Sequence, residues 1–408
     1  MKPTRFAQNH GRTGWLAPVP PRCDPHSPWT VPLDHARVSI NPSQFRELVS
    51  GRRRGIGASL LRGALRVASV PYGWAVRMRN RQFDRGKREI FDPGVPVASI
   101  GNLTVGGTGK TPLVEWFARR LRERGVRVTI LSRGYRAGED GRNDEARELE
   151  LALPDVPHLQ NADRAASAAV AVEELAAQLL LLDDGLQHRR LARDFDIVLL
   201  DASEPFGFDR LLPAGTLREP VAGLRRASAV ILSRADMLAP HERAAIHKRV
   251  AALAPTALWG EVQHRPAALL DARGQASPLD AIAGERVVAF CGIGNPAGFC
   301  HTLDSLAGEV LDVREFPDHH DYARGDVDQL AAWVQASGAQ RVLCTRKDLV
   351  KLRTDRLGGV PLAAVSIEID WLAGQREMEA ELDRLAAAAL EQDLLAEFDE
   401  APSADDGG

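Results

Sequence analysis

From residue 95 to about residue 370, short runs of apolar and β-branched residues alternate with longer segments that have helical apolar periodicity. The short runs predict buried strands, and the longer segments predict amphipathic helices that pack on a sheet. The predicted strands are 97–100, 126–131, 179–182, 197–200, 229–232, 287–290, 309–313, 341–344 and 362–367. Because strands and helices alternate, the fold class is predicted to be α/β with a mostly parallel sheet.

The alternation weakens near residues 255–280, which indicates a domain boundary. A chain of 408 residues also favours two folded units, because domains commonly hold about 150 residues. We therefore predict one α/β domain over 91–275 and a second, smaller α/β domain over 276–388. Residues 1–42 lack apolar periodicity and residues 389–408 carry seven acids and no base, so we expect disorder in both segments.

The segment before the first domain is basic, with twelve Arg or Lys and three acids between residues 42 and 90. An apolar stripe predicts a helix over 55–77, which Pro71 should kink or end. The segment 43–90 could be a nucleic-acid patch, a solvated helix face or a membrane-surface anchor. Since few aromatic residues accompany the bases and the helix is strongly apolar, we favour the membrane surface and expect no nucleic-acid partner.

Composition limits the class of protein further. The chain is 44% hydrophobic and 26% charged, and it lacks the run of about 20 apolar residues that a spanning helix needs. Its cysteines show neither the spacing of a zinc site nor the density of a disulfide scaffold, which favours a reducing, cytoplasmic compartment. They are Cys23, Cys291, Cys300 and Cys344.

A glycine-rich segment at 101–112, between a predicted strand and a predicted helix, is the strongest local signal. Its glycines allow backbone N–H groups to converge on phosphate oxygens, and the helix N-terminus adds its dipole. Lys110 can reach the β and γ phosphates, and Thr111 can bind Mg²⁺. The segment predicts a P-loop NTPase-type domain, although a purely structural turn remains an alternative. The expected nucleotide-binding residues are Thr104, Val105, Gly106, Gly107, Thr108, Gly109, Lys110 and Thr111.

Two carboxylates, Asp183 and Asp184, follow the apolar strand 179–182. Adjacent acids at the end of a buried strand are costly to bury without a cation, so we predict that both attend Mg²⁺. An Asp-Asp-Gly turn without a metal is the alternative interpretation.

Taken together, these segments resemble the tetraacyldisaccharide 4'-kinase family over about residues 93–370. The family has Thr at the position of the first consensus glycine, as this chain has at Thr104. Departures from the family pattern include Ala146, where the family usually has Pro, and Arg346, where it more often has Glu. The matching segments are 101–112, 132–135, 143–145, 183–188, 212–220, 234–236, 292–296 and 316–320.

The resemblance implies a kinase that transfers the γ-phosphate of ATP, with Mg²⁺, to the 4'-hydroxyl of tetraacyldisaccharide 1-phosphate, giving lipid IVA in lipid A biosynthesis. It implies a peripheral location at the cytoplasmic face of the inner membrane. Asp144 would accept the hydroxyl proton, His319 would orient or relay it, and Lys110 would complete the catalytic set. The further residues expected near the phosphates, the nucleotide or its metal are Gln187, Arg218 and Glu219.

Alternatives remain for the histidines and for the function. His319 and His320, with Asp318, could form a metal site or be ordinary surface residues, although adjacent side chains of an extended segment point to opposite sides. A P-loop GTPase or regulatory ATPase is the alternative function, but segment 233–236 lacks the lysine of a guanine-binding motif. A noncatalytic nucleotide-sensing scaffold would leave Asp144 dispensable.

Overall fold

The structure, a computed structural model, describes residues 42–134 and 144–400. Outside these ranges lie residues 1–41 of the predicted disordered segment 1–42 and residues 401–408 of the predicted tail 389–408. Tyr135 and Asn143 of the family-like segments also lie outside them.

Within the described ranges, thirteen strands form one sheet in the order β10-β9-β11-β13-β7-β6-β5-β1-β4-β2-β3, with β8 beside β7 and β12 beside β13. The strands are β1 (Val97–Asn102), β2 (Val128–Ser132), β3 (His158–Gln160), β4 (Leu179–Asp183), β5 (Phe195–Asp201), β6 (Ala229–Ser233), β7 (Leu258–Leu270), β8 (Ala276–Ser277), β9 (Arg286–Cys291), β10 (Glu309–Glu315), β11 (Arg341–Thr345), β12 (Arg356–Leu357) and β13 (Val360–Ala373).

Several helices pack on this sheet through a buried apolar stripe. In α3, for example, Leu113, Phe117 and Leu121 recur every four residues and are fully buried. The helices are α1 (Pro42–Ser50), α2 (Ile56–Asp84), α3 (Lys110–Glu123), α4 (Asp144–Ala152), α5 (Arg164–Glu173), α6 (Pro240–Leu253), α7 (Pro296–Asp304), α8 (Arg324–Ser337), α9 (Arg346–Leu352) and α10 (Gln375–Glu400).

The sheet consists of two parallel parts joined by one antiparallel pair, β7 with β13. We call β1 to β6 with their helices the P-loop half, β9 to β11 with their helices the C-terminal half, and β7 with β13 the ribbon. Every neighbouring pair within each half is parallel. The mostly parallel α/β fold that the sequence predicts is therefore confirmed.

The ribbon makes the carboxyl edges of the two halves face each other. Strand β7 pairs with β6 up to Leu232 and then continues beyond the carboxyl end of β6 toward the C-terminal half. Strand β13 pairs with β11 up to Thr345 and continues beyond it toward the P-loop half. Because ligands of open parallel sheets bind outside the carboxyl ends of the strands, the space between the two edges is the expected site.

All nine predicted strands are present, but the ribbon was not fully predicted. Strand β7 falls in the weakly periodic stretch, because its polar residues, such as Glu261 and Gln263, lie where the ribbon crosses between the halves. The predicted helix also extends further than expected. It continues past Pro71 to Asp84, so proline does not end it. None of the described helices has the length and apolar character needed to cross a membrane.

The apolar core has separate clusters in the two halves, yet α10 does not follow the predicted division. Met378, Leu382 and Leu385 of α10 pack into the cluster that also holds Phe117 of the P-loop half. Residues 375–388 thus pack with the first half, not the second. The last helix also runs to Glu400, so the disorder expected from residue 389 does not begin there.

Candidate active site

A cleft of about 880 Å³ lies between the facing carboxyl edges. The P-loop, the acidic end of β4 and the loop after β10 all contribute to its walls. Its lining residues include Val105 to Pro112, Arg133, Arg164, Asp183, Asp184, Gln187, Arg218, Arg234, His264, Gly294, Asn295, Asp318, His319, Arg346 and Lys347.

The loop between β1 and α3 has the backbone conformation of a phosphate cradle. Gly106 and Gly109 have φ angles of 116° and 85°, a region that residues with a Cβ rarely adopt. A Cβ on Gly109 would also come within 2.5 Å of the His264 ring. The loop therefore requires glycine for its backbone and, at position 109, for packing against the ribbon.

Lys110 opens α3 and is already turned toward the acidic end of β4. Its Nζ lies 3.1 Å from Asn102 Oδ1 and 3.5 Å from Asp184 Oδ1. Arg218 approaches the same carboxylate, with Nη1 2.6 Å from Asp184 Oδ2. Burial alone would raise the pKa of Asp184, but Lys110 and Arg218 hold it well below its usual range. This side of the cleft therefore gathers two cations around one carboxylate.

The pKa of the neighbouring carboxylate, Asp183, is raised and not lowered. It is 4% exposed, and its Oδ1 has no hydrogen-bond partner. Burial, with a smaller contribution from Glu145, raises the pKa of Asp183 to about 7. A buried oxygen without a partner costs free energy that a cation can recover. Asp183 and Thr111, which both line the cleft, offer oxygen atoms of the kind that would hold Mg²⁺.

Two residues predicted to contact the nucleotide do not line the cleft. Glu219 is fully buried and accepts hydrogen bonds from Gln187, Arg226 and Asn80. Thr104 is also buried, and its backbone forms an isolated antiparallel β-bridge with Leu217. Both hold the shape of the loops around the cleft, whereas Gln187 and Arg218 do line it.

The structure brings Asp144 and His319 together, although 175 positions separate them in the chain. Asp144 is the first residue of α4, and its Oδ2 lies 3.4 Å from His319 Nδ1 and 2.9 Å from Lys351 Nζ. His319 lines the cleft and has a positive φ of 59°. Its Nε2 lies 3.4 Å from Lys347 Nζ. The imidazole thus stands between the carboxylate and a lysine.

The surroundings of Asp144 keep it ionised. Burial would raise its pKa, but hydrogen bonds from His319 and Lys351 outweigh burial and lower the pKa to about 2. The adjacent imidazole, His320, has a different partner, since its Nε2 lies 3.1 Å from Asp326. Among the described residues, no group of three His, Cys, Asp or Glu side chains is placed to hold a metal.

A chain of hydrogen bonds also connects the C-terminal half to the P-loop. Asn295, the N-cap of α7, donates to Asp201 Oδ2 over 3.0 Å. Asp201 also accepts from Arg234, whose Nη2 donates to the Gly107 carbonyl oxygen over 3.3 Å. The position of the P-loop therefore depends on contacts with both halves.

Sequence reasoning missed several of these residues. Lys347 and Lys351 lie four apart in a short helix beside a family-like segment, a spacing that could have indicated a shared face. Arg164 had no such signal. It is buried and donates to the carbonyl oxygens of Asp183 and Asp184 over 3.2 and 3.4 Å, contacts that only the folded chain creates.

Comparison with known proteins agrees with this geometry. The family model of the tetraacyldisaccharide-1-P 4'-kinases matches residues 61–387. Proteins named tetraacyldisaccharide 4'-kinase from Anaeromyxobacter sp. (strain K) and Geobacter sulfurreducens are 43% and 37% identical, each over 84% of this chain and over 96% and 98% of their own lengths. A crystal structure of LpxK from Aquifex aeolicus in complex with ATP has 30% identity and a TM-score of 0.63, covering 80% of this chain and 99% of that one. The chain belongs to the tetraacyldisaccharide-1-P 4'-kinase family.

Proposed function

We propose that this chain transfers the γ-phosphoryl group of ATP to the 4'-hydroxyl of a tetraacyldisaccharide 1-phosphate, giving lipid IVA. One observation carries the proposal: the phosphate cradle with Lys110 and the imidazole of His319 line one cleft, and Asp144 contacts that imidazole. Phosphoryl transfer needs positioning and charge neutralisation above all, and the cleft offers both.

On the nucleotide side, the backbone N–H groups of residues 106–109 hold the phosphates, and Lys110 neutralises charge on the β and γ oxygens. Arg218 keeps Asp184 ionised and close to Lys110. Thr111, Asp183 and Asp184 are the residues that would hold Mg²⁺. When bound, this ion neutralises charge on the phosphates and orients them.

On the acceptor side, Asp144 takes the proton of the attacking hydroxyl. Its low pKa keeps it ionised at neutral pH, so it can accept that hydrogen bond at once. His319 holds the carboxylate from Nδ1 and faces Lys347 through Nε2. Such general-base assistance contributes about 10² to 10⁴ in rate.

We place the enzyme at the membrane surface through α2. This helix exposes a row of large apolar side chains, an arrangement typical of interfacial helices. Its other face contributes Tyr72, Val76 and Arg79 to the cleft, which gives a lipid a short path to the site. A mainly aliphatic face supports lipid contact over nucleic-acid contact. The exposed apolar residues are Ile56, Leu60, Val67, Val70 and Trp74.

The test is incubation of the purified protein with γ-labelled ATP, Mg²⁺ and tetraacyldisaccharide 1-phosphate in detergent micelles. The proposal predicts labelled lipid that depends on both substrates. Nucleotide hydrolysis that is the same with and without the lipid, with no labelled lipid, would instead support an ATPase. A strong preference for GTP would favour the GTPase alternative.

A further inference from the structure

Arg346, where this chain departs from the family pattern, connects three helices. Its Nη2 lies 2.6 Å from Glu115 Oε2 on α3, and its Nε lies 3.2 Å from Glu148 Oε1 on α4. The three side chains are 10%, 13% and 15% exposed. Helices α3 and α4 belong to the P-loop half, whereas Arg346 opens α9 of the C-terminal half. We call these three residues the ion triad.

The ion triad forms part of the wall of the active-site cleft. Arg346 and Glu148 line the cleft, and both, together with Glu115, also line a second cavity of about 1000 Å³. Glu115 does not line the active-site cleft, so it can affect the reaction only through its neighbours. Arg346 directly precedes Lys347, which contacts Asp318 and His319.

Helices α4 and α9 are attached to each other at two points. Asp144 pairs with Lys351, and Glu148, one helical turn further along α4, pairs with Arg346. The start of α4 therefore lies against the end of α9, and the two helices run antiparallel. Two ion pairs one turn apart restrict the position of α4 against α9 more than the Asp144 pair alone would.

The triad is not an efficient means of stabilising the fold. Removing charges from water costs several kcal/mol, and well-packed apolar residues often replace buried ion pairs without loss of stability. Burial indeed raises the pKa of Glu148, against the effect of Arg346. The guanidinium is a planar fork that fixes the relative position of two carboxylates. An apolar side chain cannot do this.

We propose that Arg346 is a positioning residue for phosphoryl transfer, and that it acts by holding α4, and thus Asp144, against α9 and α3. This inference rests on the proposed kinase function. Without Arg346, α4 loses its ion pair with α9 at Glu148, and no guanidinium holds Glu148 and Glu115 together. A displacement of about 1 Å at a reacting group can cost about 10² in rate, so the loss should appear in kcat.

The experiment compares kcat and the KM for ATP in the labelled-ATP assay. Arg346→Gln should lower kcat about tenfold and Glu115→Gln about threefold, with the KM for ATP changed less than about twofold. The double variant should be no slower than Arg346→Gln, because Glu115 acts through Arg346. Arg384→Gln is the matched control: Arg384 pairs with Glu381 over 2.7 Å, but it is 53% exposed and both residues lie on α10. Its kcat should stay at the wild-type value.

A folded Arg346→Gln enzyme with wild-type kcat would overturn the proposal, as would losses that multiply in the double variant. If Arg346→Gln does not fold, Arg346→Lys takes its place. One ammonium cannot bond both carboxylates in the same fork, so kcat should still fall, and an unchanged kcat would again refute the role.

A second readout separates this inference from the kinase function. Hydrogen exchange of the α4 amides should be faster in Arg346→Gln than in Arg384→Gln, because only the first variant has lost an attachment of α4. Equal exchange rates in the two variants would contradict the positioning role of Arg346, even if the wild type transfers phosphate to the lipid. Failure of the wild type to label any lipid would refute the kinase function, but it would not refute the attachment of α4 to α9 by Arg346.

Discussion

The two sides of the cleft are built in different ways. The nucleotide side is one contiguous segment, 101–112, whose backbone holds the phosphates and whose shape is set by glycines and by the start of α3. The proposed acceptor side is assembled from side chains of three distant elements: Asp144 of α4, His319 after β10, and Lys351 of α9. A phosphate cradle is thus a local property of the chain, whereas the acceptor side exists only when both halves are folded and joined.

This difference predicts how each side responds to change. The cradle presents backbone groups, which most side-chain substitutions leave in place. A single substitution there should therefore lower activity mainly when it removes a charge or a glycine. The acceptor side is held by ion pairs across the two halves, so residues that never touch a substrate can alter it.

Lys110→Ala should lower kcat/KM by about 10³ or more, because it removes the cation that stabilises charge on the transferring phosphate. The labelled-ATP assay measures this loss. Lys248→Ala is the control, since Lys248 is an exposed lysine of α6 that does not line the cleft. If the two variants lost activity equally, the P-loop would have no special role in catalysis.

Serine substitutions at Ile56, Leu60 and Val67 should reduce partitioning onto anionic vesicles by about tenfold or more, because each removes an exposed apolar side chain from the proposed interface. Sedimentation with vesicles measures the bound fraction. Leu151→Ser, also at an exposed apolar residue but on α4, should bind as the wild type does. Equal binding by the triple variant would mean that α2 does not contact the lipid.

The smallest expected effect concerns pH and stability. The pKa of Asp144 is about 2 in the folded protein, against about 3.9 in an unfolded chain. A depressed folded pKa contributes stability above the unfolded value and loses it as the pH falls through the folded value. Wild type should therefore exceed Asp144→Asn by at most about 2 kcal/mol in free energy of unfolding at pH 5, with the difference vanishing near pH 2.

Denaturant unfolding of both proteins across this pH range provides the measurement. Asp304→Asn, at an exposed carboxylate of α7, reports the effect of removing a surface charge. A wild-type advantage that persists unchanged to pH 2 would show that Asp144 is not held by its cationic neighbours.

The same contrast explains what could be predicted from the sequence. The P-loop, the acidic end of β4 and the nine strands follow from local periodicity and contiguous motifs, which carry their own signal. Asp144 and His319 were placed together only through the family resemblance, because nothing in the spacing of two residues 175 positions apart indicates contact.

The ribbon and the ion triad show why the rest could not be predicted. Strand β7 looks irregular because it crosses between the halves and keeps polar residues along much of its length. The sequence of α10 does not indicate which half the helix packs against, because an apolar stripe predicts burial but not the surface that buries it. In the sequence, Arg346 is only a departure from a family pattern. Its role as a partner of Glu115 and Glu148 is visible only in the folded protein.

The most direct test of the account is a single-turnover experiment with enzyme preloaded with labelled ATP and mixed with excess lipid acceptor. The four proteins are the wild type, Asp144→Ala, His319→Ala and the double variant. If the pair acts as one unit, each single variant should bind ATP normally and slow transfer by about 10², with the double variant no slower than the poorer single. Losses that multiply, or an unchanged transfer rate in His319→Ala, would contradict it.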